Sequence, residues 1–166
     1  MKNIALRGFC SAFLAAGLMA CSSSDDVVFQ PSIPVTVNLL AQDEINKFED
    51  ELARPVIVRL YQLRDVGTFE QADFVTIYES GDSVLASSMV DSKILSPVLP
   101  GERRSFTIEV QQETKFLAVF AEFANYEVAT TKASVALVEE PEDSPVVITV
   151  SQAKIEISQP VDSSWW

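Results

Sequence analysis

Apolar and polar side chains alternate along residues 54–65. Val56, Val58 and Leu60 fall on one face of an extended chain, and Ile57, Arg59 and Tyr61 on the other. A period of two with β-branched content predicts a strand with one fully apolar face. Residues 65–68 end it, with Gly67 able to take a positive φ. Thr68 and Gln71 have capping-box spacing, which predicts a short helix with Phe69, Phe74, Ile77 and Tyr78 on one side. Ser80-Gly81-Asp82-Ser83 reads as a break, followed by a second helical piece over 84–89.

The same alternation predicts strands elsewhere. Val35, Val37 and Leu39 mark the first, after Pro31 and Pro34. Residues 93–99 form another, closed by Pro100-Gly101 at the centre of a type II turn. Phe106, Ile108 and Val110 face inward from 103–110. Residues 116–121 are apolar on both faces, which places that strand centrally, and the small Ala118 and Ala121 admit bulky neighbours. Asn125-Tyr126-Glu127 is a turn, and 128–138 holds one or two strands with Val135 and Leu137 facing in. The acidic loop 139–145 reads as solvated. Val146, Ile148 and Val150, then Ile155 and Ile157, mark the last two strands. Seven or eight short strands predict an all-β, two-sheet β-sandwich with one or two short helices after the second strand.

One connection is too long for a hairpin. Residues 41–53 hold Asp43, Glu44, Glu49, Asp50 and Glu51 against Lys47, with Ile45 and Phe48 among them. Hairpin loops usually run two to five residues. The segment is long enough to carry a turn of helix. It is either a solvated excursion with Phe48 tucked onto the core or a protruding binding loop.

The N-terminus carries an address. Lys2 and Arg7 precede an apolar run over 8–20 that suits a signal peptide and is too short to span a membrane. Leu18-Met19-Ala20-Cys21 resembles a bacterial lipobox, which implies cleavage before Cys21 and lipid attachment to it. The alternative is an ordinary signal whose cleavage site happens to precede a cysteine. Ser22 rather than Asp after the cysteine favours the outer membrane. The expected organisation is a lipoprotein signal peptide at 1–20, a flexible tether at 21–31, the sandwich at 32–160 and a tail at 161–166. Trp165 and Trp166 could dock on the sandwich, touch lipid headgroups or serve an interface.

Charge narrows the partners. Losing Lys2 and Arg7 leaves 10 of the 12 basic residues against 24 acidic ones, a net charge of −14. Such a chain repels nucleic acid and anionic membrane surfaces, and suits either a basic protein partner or plain solubility. Cys10 leaves with the signal and Cys21 carries lipid. The body therefore has no thiol, and the whole chain has no histidine. That removes Ser-His and Cys-His catalysis and the usual metal ligands. Carboxylate pairs alone remain, and among 24 acids proximity signifies nothing. No catalytic residue, cofactor, metal site or small-molecule substrate is expected.

Four segments then occur in order: Asn38 followed by 54–64 (RPVIVRLYQLR), 69–74 (FEQADF), 99–102 (LPGE) and 116–123 (FLAVFAEF). On a lipoprotein this series resembles the outer-membrane lipoprotein of the type VI secretion system, the TssJ/VasD family. The likeness runs from about Asn38 to Phe123. It departs afterwards, where the family often has a basic residue and then Trp and this chain has Ala124-Asn125-Tyr126. The resemblance implies a transthyretin-like sandwich with no enzymatic activity. It also implies a partner, the periplasmic C-terminal domain of the system's large inner-membrane protein, held through the loop between the first two strands. The implied contact residues are then Asp43, Glu44, Ile45, Lys47, Phe48, Glu49 and Asp50. The competing function is a periplasm-facing lipoprotein that binds a small ligand or glycan on a similar sandwich, which needs an aromatic-lined pocket.

Overall fold

The computed structural model describes residues 31–160. The expected signal peptide, Cys21, nearly all of the expected tether and the Trp165–Trp166 tail lie outside the described residues. The strands are β1 (Ile33–Ala41), β2 (Val58–Leu63), β3 (Met89–Ile94), β4 (Arg103–Val110), β5 (Phe116–Ala121), β6 (Lys132–Ala136), β7 (Val146–Ser151) and β8 (Lys154–Ser158). Two helices, α1 (Gly67–Gln71) and α2 (Phe74–Leu85), lie between β2 and β3.

The strands form two four-stranded sheets, ordered β4-β1-β7-β8 and β3-β2-β5-β6. All neighbours run antiparallel except β1 and β7, which are parallel. The facing sides supply the main core: Val35, Val37, Leu39, Ile148 and Val150 from one sheet meet Val58, Leu60, Leu117 and Val119 from the other. On one flank the sheets are joined through Thr130, whose N–H donates to the Ala153 carbonyl and whose carbonyl accepts from Ile155 N–H.

A second core lies on the outer face of the β2–β5 pair. Tyr61, Leu63, Ala118 and Phe120 pack there against Phe69, Ile77 and Leu85 of the helices. This is why 116–121 is apolar on both faces: one face meets the other sheet and the other meets the helical layer. It also corrects the one-faced reading of β2, since Tyr61 and Leu63 on the other face are buried as well.

The helical insert departs from its sequence signals. Gly67 opens α1 instead of adopting a positive φ, and its N–H donates to Asp65 Oδ1. Val66 stands at the N-cap, so Thr68 and Gln71 form no capping box. The other end of α1 is capped from a distance. Lys132 Nζ donates to the carbonyls of Phe69 (2.8 Å), Glu70 (2.9 Å) and Ala72. A cation suits the negative end of a helix. Burial holds the Lys132 ammonium below its usual pKa, while Asp73 and Glu70 oppose that shift. Asp73 caps α2 by accepting from Thr76 N–H. Residues 80–83 kink α2 at Ser80 without ending it, so the helix runs on to Leu85 and β3 starts at Met89, earlier than the predicted 93–99 strand. Gly81 sits at the kink because a Cβ there would lie 3.0 Å from the buried Tyr61 hydroxyl.

Two buried amides tie loops to the sandwich. Gln62 spans the sheets: its Nε2 donates to the Glu109 carbonyl (2.9 Å), and its Oε1 accepts from Gln111 N–H and Thr114 Oγ1 (2.9 Å each). Gln62→Leu strands three polar groups and is expected to lower unfolding stability by about 3 kcal/mol in urea titration. A loss below ~1 kcal/mol would mean water replaces the amide. Gln159 holds the acidic 139–145 loop through the carbonyls of Pro141 and Ser144, so this loop is anchored at its base and its Pro141 is buried.

Candidate functional site

The β1–β2 connection contains no helix and folds in two levels. Its lower level is bonded to the sandwich. Ala41 and Gln42 N–H donate to the carbonyls of Glu102 and Val150, and Asn46 N–H donates to that of Gln152. Ile45 is fully buried in the main core. The turn at Pro100–Gly101 supports this level, with Gly101 at φ +74° as a type II turn requires. A Cβ on Gly101 would fall 2.5 Å from Asp43 Oδ1, so the glycine also makes room for the loop.

Asn46 is the fastener. Its Nδ2 donates to the Pro55 carbonyl and its Oδ1 accepts from Ala124 N–H, both at 2.7 Å. It thereby joins the loop's two ends to the β5–β6 connection. Its φ of 52° is a left-handed conformation that asparagine tolerates better than most residues.

The upper level projects beyond the closure made by Arg54 N–H and the Ile45 carbonyl, 3.1 Å apart. A turn from Phe48 to Glu51 forms the tip, with Glu51 N–H donating to the Phe48 carbonyl at 3.0 Å and Glu51 at φ 56°. Arg54 braces the tip by donating to the Leu52 carbonyl and pairing with Asp50. The arginine holds the Asp50 carboxyl below the usual carboxylate range, and the hydrogen bond from Lys47 does the same for Glu44. Lys47 lies 3.0 Å from Glu44 and 4.0 Å from Glu51.

Two apolar side chains are left outward. Phe48 is 41% exposed and Leu52 is 62% exposed. The structure therefore reverses one of the two readings: Ile45, not Phe48, is the residue tucked onto the core. Of the sequence-derived set, Asp43, Glu44, Phe48, Glu49 and Asp50 are exposed, Lys47 is half-buried and Ile45 is inaccessible to a partner. Asn46, Leu52 and Arg54 were missed. Asn46 carried a weak signal, as a residue suited to left-handed backbone in a long connection. Cys21 lies outside the described residues.

The surface presents apolar knobs amid carboxylates, which suits adhesion to a protein.

The type VI secretion lipoprotein profile (SciN; VasD, EvfM, TssJ) matches residues 33–157, which extends the likeness into the last strands. No curated protein matches the sequence. Among solved structures, the lipoprotein TssJ1 from Pseudomonas aeruginosa is 24% identical with a TM-score of 0.69, over 79% of this chain and 98% of that one. Serratia marcescens Lip, a membrane-bound component of the type VI secretion system, is 22% identical with a TM-score of 0.69, over 80% of this chain and all of that one. A chain in a structure described as the TssM C-terminal domain from EAEC is 23% identical with a TM-score of 0.63, over 77% of this chain and 98% of that one. The TM-scores show that these structures share the two-sheet β-sandwich fold. With the family profile covering three quarters of its length, from β1 to β8, this chain belongs to the type VI secretion lipoprotein family.

Proposed function

We propose that the chain is an outer-membrane lipoprotein of a type VI secretion membrane complex. Lipid on Cys21 fixes it to the membrane, with the sandwich facing the periplasm. Its 41–53 loop grips the periplasmic C-terminal domain of the large inner-membrane component. The role is mechanical: one end is held in lipid and the other holds a partner, with no chemical step. The observation that carries this reading is the loop itself, pinned at Asn46 yet presenting Phe48 and Leu52 to solvent on a member of this family. A rigid loop loses little entropy on binding, and a few apolar anchors supply most of the affinity.

Deleting 45–50 would remove core Ile45 along with the tip, so surface substitutions are the cleaner test. The double variant Phe48→Ser/Leu52→Ser is expected to keep its melting temperature and lose at least about tenfold in affinity for the partner's C-terminal domain, measured by calorimetry. Unchanged affinity takes the loop out of the interface. Cys21→Ser is expected to move the protein from the outer-membrane fraction to soluble periplasm. Continued fractionation with the outer membrane would refute the lipid assignment.

A further inference from the structure

A second surface lies where α2 meets the β5–β6 connection. Phe74, at the start of α2, rests on core Phe120 with ring centroids 5.1 Å apart. Tyr126 stacks on Phe74 at 4.2 Å and 5°, and Tyr78, one turn along α2, lies at 5.7 Å and 12°. The rings thus run outward from the core into a groove also lined by Val75, Glu79 and Glu122. Tyr78 is 49% exposed and Tyr126 is 38% exposed. Since Phe74 covers one face of Tyr126, the exposed part is its other face and edge.

The groove's charged liners are both carboxylates. Arg59 already shows the chemistry from the inner side: it pairs with Glu122 at 2.6 Å and lies 5.7 Å from the Tyr78 ring centre. Both Arg59 contacts go to Glu122 Oε1, and Oε2 takes no hydrogen bond among the described residues. Glu79 forms no ion pair among the described residues. Exposed aromatic faces beside acceptor carboxylates match a planar guanidinium, which stacks and donates at once.

We propose that this groove is a docking site for an arginine-bearing segment of a protein partner, with the guanidinium stacked on Tyr126 or Tyr78 and hydrogen-bonded to Glu79 and Glu122. The site goes beyond the loop reading: other elements build it, and it stands if the Phe48 and Leu52 substitutions have no effect. The Asn46–Ala124 hydrogen bond makes the two surfaces neighbours, since Ala124 also lines the groove.

The test uses the detergent-solubilised, membrane-extracted protein and a fluorescent Gly/Ser peptide carrying arginines, read by anisotropy at physiological ionic strength. A matched peptide with citrulline keeps the shape and removes the charge. The arginine peptide is expected to bind, with Tyr126→Ser and Glu79→Gln each weakening it about fivefold. Glu140→Gln, on the acidic loop, is expected to leave binding unchanged, and citrulline to abolish it. Both Tyr126 and Glu79 are exposed, and the Glu79 change leaves the aromatic stack in place, so folding does not confound the result. Absence of binding overturns the proposal. So does equal binding of citrulline, or equal weakening by Glu140→Gln, which would mean a diffuse acidic attraction.

Discussion

Asn46→Ala is expected to destabilise the domain by about 2–3 kcal/mol and to abolish the rigidity of the 41–53 loop. Two effects add. Alanine at φ 52° carries left-handed strain of roughly 1 kcal/mol. The Pro55 carbonyl and Ala124 N–H each lose a partner, at about 1 kcal/mol apiece because both residues are exposed enough to recover water. Asn46→Gly separates the two, since it relieves the backbone and still removes both hydrogen bonds. Urea titration should place the glycine variant between wild type and alanine. Affinity for the partner should fall in both variants although Phe48 and Leu52 are intact, because a loosened loop must be ordered on binding. Full affinity with a detached loop would mean that the partner does not require the pinned conformation.

The second large effect is expected from Arg59→Met. This arginine leaves β2 on the side facing the helices and holds three things together. It pairs with Glu122, it donates to the carbonyls of Ile77 (3.4 Å) and Tyr78 (3.2 Å), and it lies over the rings of Tyr78 and Phe120. Methionine keeps most of the packing and none of the donors. Breaking a buried pair from one side costs about 3–5 kcal/mol. Here both side chains retain about a fifth of their exposure, so the expected loss is about 3 kcal/mol, after a discount for solvent screening. The loss should concentrate in α2: its amides should exchange faster with solvent, while β1 and β7 stay protected. In Arg59→Met/Glu122→Met the carboxylate is no longer orphaned. The pair should therefore be less destabilised than the sum of the single changes by ~1 kcal/mol or more. Unchanged protection of α2 would show that Ile77 and Leu85 alone hold the helix.

Whether a feature could be read from the sequence depended on whether its signal was local and repeated. β1, β4, β5 and β7 were legible because each carries three or more apolar residues at a period of two, and burial of one face follows directly from the pleat. Even the two-sided burial of β5 was visible, since no polar residue interrupts 116–121. The insert was legible as helical and misread in detail. The end of α1 is held by Lys132 and the turn of α2 before the Ser80 kink by Arg59, both more than ten residues away, and the Thr68–Gln71 pattern caps nothing.

The loop divides in the same way. Its unusual length, acidity and place between β1 and β2 were decided by the sequence alone, as was the absence of cysteine and histidine from residues 31–160, and the lipobox reading of Cys21 rests on the sequence alone. Which of Ile45 and Phe48 turns inward was decided by tertiary structure. Both are apolar, and nothing nearby in sequence distinguishes them. The choice follows from where Gln152, Ala124 and Gly101 bring their backbone, and those residues are far along the chain. The aromatic groove is of the same kind: Phe74, Tyr78 and Tyr126 are scattered in sequence and become a stack only when α2 lies beside the β5–β6 connection. Periodicity reports which face of an element is buried. It carries no record of which elements meet, because that is set by packing between residues whose separation along the chain leaves no pattern to read.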